Sequence, residues 1–352
     1  RSPLRNKPDL RRREGKKQSM ESLLEELLEE CRPCTREGHV ATYIPELAKG
    51  DPSQLGIYVL RSDGHHYQAG DWSARFTIQS VVKPILLLLA LMDNGEACVR
   101  ARVGVEATGK PFDAINVTDQ ALLSEHLNPM VNMGAILLCT LIHGTSYSQR
   151  LERLLELTLS VDEAVYRSEK QTGSRNRAMA FLLESCGLLH DDPEEVLDCY
   201  FRACSIRVDC RDLAHIACTF AGRGRRSPSG ERLFPARYAH YVNAVLMTCG
   251  MYNGSGDFAV KVGLPAKSGL PCPYGHRHLF PRAGRKGKQS GWHPAAGTAG
   301  PPAQPEHILT PHLRHSGEKR SPEAAPEAVF PLSIPSAAVF PPFPRKKLDE
   351  SI

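Results

Sequence analysis

Apolar residues recur at helical spacing in Met20-Glu21-Ser22-Leu23-Leu24-Glu25-Glu26-Leu27-Leu28-Glu29-Glu30, which predicts an amphipathic helix with a charged, solvated face. Beyond a break at Gly38, Leu55-Gly56-Ile57-Tyr58-Val59-Leu60 and His66-Tyr67-Gln68-Ala69-Gly70 flank Ser62-Asp63-Gly64, predicting two strands joined by an Asp-Gly turn. The greasiest stretch follows and predicts a helix over 80–92, with Pro84 near its start, where a missing backbone N–H costs little. A loop punctuated by Gly104, Gly109 and Pro111 leads to Asn128-Pro129-Met130-Val131-Asn132 and a second buried helix through Ile142. Helical periods continue over 149–159, 175–187, 193–204, 211–221 and 235–249, and Phe258-Ala259-Val260-Lys261-Val262-Gly263-Leu264 reads as a strand. Strands segregated from a helical middle predict an α+β fold with an antiparallel sheet.

The 80–92 helix carries candidate chemistry at its polar start. Ser80 and Lys83 are three residues apart, so one helix face presents both about a turn apart. An alcohol becomes a competent nucleophile when a nearby base removes its proton. A lysine serves as that base if burial and cationic neighbours depress its pKa. Taken alone the spacing is common, and a polar start to a core helix is its more frequent meaning.

Composition changes the picture mainly at the ends. Residues 1–19 carry eight Lys/Arg against Asp9 and Glu14, and residues 271–352 hold 15 of the 27 prolines. Removing both ends from 44 basic and 39 acidic residues leaves 25 and 31 in residues 20–270. The basic excess therefore belongs to the flanks, which argues against a nucleic-acid-binding domain. Three segments are expected: a basic disordered arm at 1–19, a folded domain at 20–270 and a Pro/Gly/Arg-rich disordered tail at 271–352. Met20 reads as a natural first residue, which makes the arm an upstream extension.

The 11 cysteines are odd in number and several lie in apolar helical runs (Cys139, Cys218), which points to reduced thiols and a cytoplasmic location. Cys31-Arg32-Pro33-Cys34 lacks a second pair at zinc spacing and reads as two incidental thiols, and no metal site is expected, the tail histidines His276, His278, His312 and His315 included. The apolar runs 84–92 and 135–142 are under half of the ~20 residues that span a bilayer, so they are core.

Six words then narrow the function. Tyr43-Ile44-Pro45-Glu46-Leu47-Ala48, Ile78-Gln79-Ser80, Asn128-Pro129-Met130-Val131-Asn132 with Gly134-Ala135-Ile136, Ser168-Glu169 with Gly173, Arg175 and Asn176, Cys249-Gly250-Met251-Tyr252, and Val262 to Gly269 resemble the serine-dependent glutaminases in order and spacing. The resemblance covers about residues 38–269. Ser80-x-x-Lys83 with Lys267-Ser268-Gly269 is also the pairing of the serine penicillin-recognising enzymes. It implies a serine β-lactamase-like, penicillin-binding-like fold: an antiparallel sheet with a helical subdomain.

The resemblance further implies Ser80 as nucleophile, Lys83 as its base and Tyr252 as the hydroxyl that carries a proton to departing ammonia. Glu169, Asn176 and Tyr200 would hold the amino-acid end of L-glutamine, and Tyr43 and Asn132 would complete the pocket. The backbone N–H groups of Ser80 and Leu270 would form the oxyanion hole. No metal or organic cofactor is implied, and relatives assemble as homo-oligomers, dimers or tetramers.

The likeness stops after Gly269. Prolines at the density of 271–352 cannot supply ladder N–H groups, so the last two sheet strands are expected to be missing. A change within one residue reads as a shifted reading frame or an alternative 3′ exon. Leu270 precedes Pro271, which biases it toward extended backbone. Glu106-Ala107-Thr108-Gly109 also departs from relatives, which have proline and serine in its middle. Two other functions stay open: an inactive, truncated chain that partners intact subunits, and a β-lactam-interacting Ser-Lys hydrolase.

Overall fold

The computed structural model describes residues 19–36, 40–107, 127–144 and 160–269. The expected arm (except Ser19), the 149–159 helix, the tail with its histidines, Leu270, and Thr108 and Gly109 lie outside the described residues.

Helix α1 (Met20–Cys31) starts where the Ser19 hydroxyl accepts from the Ser22 N–H, a cap that satisfies one of the helix's free donors. Strands β1 (Gly56–Leu60) and β2 (His66–Gly70) form an antiparallel ladder with Gly56 opposite Gly70 and Leu60 opposite His66. Both faces of β1 are covered. Ile57 and Val59 pack with Leu24 and Leu28 of α1, while Tyr58 and Leu60 pack with Cys210, Ala214 and Cys218. Gly70 has φ +64°, and a Cβ there would lie 2.3 Å from the Leu55 carbonyl oxygen, so only glycine lets α1 and the ladder close up.

Strand β3 (Phe76–Thr77) leads through a tight turn into α2 (Lys83–Arg100). Helices α3 (Asn132–Thr140), α4 (Glu163–Thr172), α5 (Ser174–Ser185) and α6 (Pro193–Cys204) follow, then β4 (Arg207–Val208), α7 (Cys210–Ala221), α8 (Ala236–Cys249) and α9 (Ser255–Lys261). Strand β4 pairs antiparallel with β3, Phe76 opposite Val208. The main core gathers Leu86, Leu87 and Leu91 of α2, Ile136 and Leu137 of α3, and Phe201 of α6, all at most 1% exposed. Burying one such side chain contributes about 1.5–3 kcal/mol. Among the described residues no helix is long and apolar enough to cross a membrane.

Three expectations are corrected. The described sheet content is two separate two-stranded ladders rather than one sheet. The stretch from Phe258 is not a strand: α9 runs over Ser255–Lys261 and ends before Gly263 at φ +76°. A strand needs a neighbour for its backbone N–H groups, whereas a helix satisfies its own. The Asp257–Lys261 pair at 3.1 Å adds support at i,i+4. Lastly, α2 begins at Lys83, not Ser80, which stands on the preceding 3₁₀ turn Gln79–Val82. Helix α4, capped by Asp162, was not expected at all.

Candidate active site

Ser80 reaches its place because β3 stops abruptly. The Ile78 N–H donates to the Ile206 carbonyl at 2.8 Å, extending the β3–β4 pairing, and the chain then turns at Gln79 with φ +48°. A non-glycine residue in that region is strained, and two side-chain contacts hold it. The Gln79 amide donates to Thr77 Oγ1 at 3.0 Å and accepts from the Tyr43 hydroxyl at 3.3 Å. Tyr252 is likewise left-handed at φ +54°.

Burial pushes the Tyr252 phenol's pKa well above the usual tyrosine value, and the neighbouring Ser80 side chain pulls against that rise. Lys83 is 0% exposed. Its ammonium donates to Asn132 Oδ1 at 2.7 Å and to the Met130 carbonyl at 3.3 Å, and lies 5.8 Å from the Tyr252 ring centre. Asn132 passes the chain onward, its amide donating to Asn176 Oδ1 at 2.9 Å, while the buried Tyr200 hydroxyl donates to Asn132 Oδ1 at 3.4 Å.

Glu169 enters the same cluster from α4. It is 6% exposed, and its Oε2 has no hydrogen-bond partner among the described residues. Burial drives its pKa up to about 8, against a smaller opposing pull from the Lys83 charge. Tyr43 is 51% exposed as a residue, with a hydroxyl whose pKa rises through burial and the nearby Glu169. Ser80, Lys83, Tyr252, Tyr43, Asn132, Glu169, Asn176 and Tyr200 thus meet in one place, and Leu270 lies outside the described residues.

Two features were not foreseen. Lys267, read only as part of a sequence word, is 7% exposed and donates to the Tyr252 hydroxyl at 3.1 Å. Burial first, and the Lys83 charge second, hold its pKa well below the usual lysine value. The signal that pointed to it was Lys267-Ser268-Gly269. Second, the Ser80 N–H donates to the Gly269 carbonyl at 2.9 Å, so that donor is already engaged. Nothing in the sequence pointed to that contact.

Gly250 locks the Lys267 segment beside Tyr252. The Ser268 N–H donates to its carbonyl at 3.2 Å, and a Cβ at 250 would lie 1.8 Å from the Ala266 carbonyl oxygen. Gly250→Ala is therefore expected to lower stability by about 1–3 kcal/mol and to reduce kcat by displacing Lys267. Thermal melts and steady-state kinetics check this; an unchanged Tm would contradict the close approach.

A serine, a buried lysine and a phenol beside a carboxyl whose Oε2 has no partner among the described residues are groups that acyl transfer from an amino-acid-like molecule would use. A family-wide sequence profile described as "Glutaminase" matches residues 38–271. The chain belongs to the glutaminase family. Among its curated relatives, a glutaminase of Clostridium tetani is 48% identical over 259 residues, 71% of this chain and 85% of the relative. One of Alkaliphilus metalliredigens is 45% identical with the same coverage. Among solved structures, a probable glutaminase from Bacillus subtilis complexed with 6-diazo-5-oxo-L-norleucine superposes with a TM-score of 0.65 at 35% identity, over 71% of this chain and 79% of that one. The glutaminase domain described here shares that mixed helix-and-sheet fold.

Proposed function

We propose that this chain hydrolyses the side-chain amide of L-glutamine to L-glutamate and ammonia through a γ-glutamyl ester on Ser80. The observation that carries the reading is the Lys267–Tyr252 hydrogen bond at 3.1 Å inside a cluster that also holds Lys83 and Ser80. Ser80 Oγ attacks the amide carbon while Lys83 takes its proton. The C–N bond then breaks as Tyr252 gives its proton to the leaving nitrogen, the Lys267 N–H steadying the developing phenolate. Water attacks the ester as the Tyr252 phenolate takes one of its protons, and Lys83 returns its proton to Ser80 Oγ as the ester C–O bond breaks and glutamate leaves. The oxyanion needs two donors, assigned to the Ser80 and Leu270 N–H groups; losing one typically costs ~100–1000-fold in rate. No step calls for a metal or organic cofactor.

At the other end of the substrate, Glu169 takes the α-ammonium, Asn176, Asn132 and Tyr200 take the α-carboxylate, and Tyr43 closes the mouth. An empty site with Glu169 near pKa 8 holds that carboxyl protonated at pH 7. The arriving ammonium favours its ionised form, so binding at pH 7 expels a proton and tightens as pH rises toward 8. Purified protein should release ammonia and glutamate from L-glutamine with KM falling between pH 6 and 8. Glu169→Gln should raise KM and flatten that slope. Calorimetry in buffers of different ionisation enthalpy reads the proton directly; uptake instead of release would overturn the assignment.

A second reading, an inactive member that partners intact subunits, is favoured by one observation: the Ser80 N–H is engaged by Gly269. Absence of ammonia release from pure protein, with turnover on adding an active relative, would select it. On the fold, the finer reading is a serine β-lactamase-like domain at 20–270 lacking its last two strands, supported by Val260 and Val262 being 74% and 43% exposed. A cytoplasmic location is carried over from the sequence reading of the cysteines. Homo-oligomeric assembly is carried over from the resemblance.

A further inference from the structure

Beneath the pocket, α4 and α6 are bound together by a charged cluster with no part in the chemistry above. Asp198 of α6 receives three donors. The Tyr166 hydroxyl and the Lys170 ammonium of α4 share its Oδ1, the latter at 2.5 Å, while Arg202 Nε donates to Oδ2 at 3.1 Å. The Arg202 guanidinium stacks 3.9 Å from the centre of the Tyr166 ring and donates to Glu163 at 2.9 Å. Burial pushes the Asp198 carboxyl up, but its donors, Lys170 first, outweigh that and keep it below the ordinary carboxylate range.

Position explains why the cluster matters. Tyr166 and Lys170 bracket Glu169 on α4, and Asp198 and Arg202 bracket Tyr200 on α6. Lys170, Asp198 and Arg202 occupy the partly exposed rim of the α4–α6 seam, Tyr166 reaches inward from it, and Glu169 and Tyr200 are buried. Ser168, next to Glu169, accepts from the Glu46 N–H at 3.2 Å, so α4 also anchors the segment carrying Tyr43. Moving α4 outward would admit water to Glu169 and widen the pocket at its ammonium end.

We propose that Asp198 is a positioning residue for recognition of the α-ammonium: it ties α4 to α6 and so keeps Glu169 sealed at the pocket wall. This rests on the assignment of Glu169 given above. The groups facing Glu169 are Lys83 from α2, Tyr43 from the segment before β1, and Tyr200 and Cys204 from α6. None of them is in the Asp198 cluster. A change in how Glu169 titrates in an Asp198 variant therefore reports on solvent access to the seam.

The test compares wild type with Asp198→Asn, Asp198→Glu and Lys170→Met. Each is assayed for kcat and KM with L-glutamine from pH 6 to 9, and for the Kd of L-glutamate by calorimetry. Asp198→Asn should raise KM and Kd about tenfold with kcat within about threefold, and move the pH response of KM to lower pH. Asp198→Glu should restore part of the loss, and Lys170→Met should shift KM in the same direction. A lowered Tm with KM, Kd and their pH response unchanged would overturn the proposal, as would a loss confined to kcat. If wild type neither hydrolyses L-glutamine nor binds L-glutamate, the assignment of the site itself falls. If wild type does either and Asp198→Asn matches it, only the positioning role falls.

Discussion

Ser80→Ala should remove glutamine hydrolysis almost entirely, by roughly four to six orders of magnitude in kcat, as loss of the nucleophile does in acyl-enzyme hydrolases. Ser80 is only partly buried and stands on a turn held by backbone bonds from Ile78 and Gly269, so the substitution should leave the fold intact. The phenol of Tyr252 loses a polar neighbour, and Lys267 still donates to it. Binding of L-glutamate to Ser80→Ala should accordingly stay within a few-fold of wild type. Mass spectrometry of wild type quenched with glutamine should show a γ-glutamyl adduct on the peptide containing Ser80, and none in the variant. Residual turnover above about one per cent would mean that another group attacks the amide.

Lys83→Met should lower kcat by about 100–10,000-fold, the range that a positioned proton-transfer group supplies. Methionine fills nearly the same space in a fully buried position and brings no charge, so the core around Ile78, Val82 and Leu86 is preserved. The cost elsewhere falls on Asn132, whose Oδ1 loses its 2.7 Å donor and keeps Tyr200. KM should therefore rise modestly while kcat falls steeply. The companion change Lys267→Met distinguishes the two amines. If Lys267 rather than Lys83 activates Ser80, it alone should abolish adduct formation, and Lys83→Met should still acylate.

Much of the architecture was readable where a single local rule decides the outcome. The β1–β2 pair follows from Asp63-Gly64 between two apolar runs, with the Asp63 side chain accepting from the His65 N–H and Gly64 at φ +90°. The periods over 175–187, 193–204, 211–221 and 235–249 became α5 to α8 within a few residues. Helix α4 escaped because only Val165, Tyr166 and Glu169 are buried along it, and one of those is a carboxylate. Its helical face is written partly in polar letters. The two-residue strands β3 and β4 are too short for any alternation to register. The 258–264 stretch misled because a brief apolar run fits either element.

The site divides the same way. Ser80 and Lys83 stood out by a spacing too common to decide anything alone, and the remaining pocket residues came only from the resemblance. Lys267 was in plain sight within one of those words, but a lone lysine normally stays in water. The Asp198 cluster could not be read at all, because Tyr166 and Asp198 are 32 residues apart and meet only after α4 packs on α6. Long-range polar contacts of this kind have no periodicity in the chain.

On the proposed assignment of the Ser80 N–H to the oxyanion, one backbone contact sets a condition on every turnover. The amide nitrogen of Ser80 can serve a single acceptor well, and the Gly269 carbonyl holds it at 2.9 Å. An incoming substrate carbonyl is thus a competitor for an occupied donor, and exchanging one partner for the other costs about 1 kcal/mol before any bond to carbon forms. A negatively charged oxygen wins that contest far more easily than a neutral one. The arrangement consequently discriminates in favour of the tetrahedral species over the ground state, at the expense of weak initial binding.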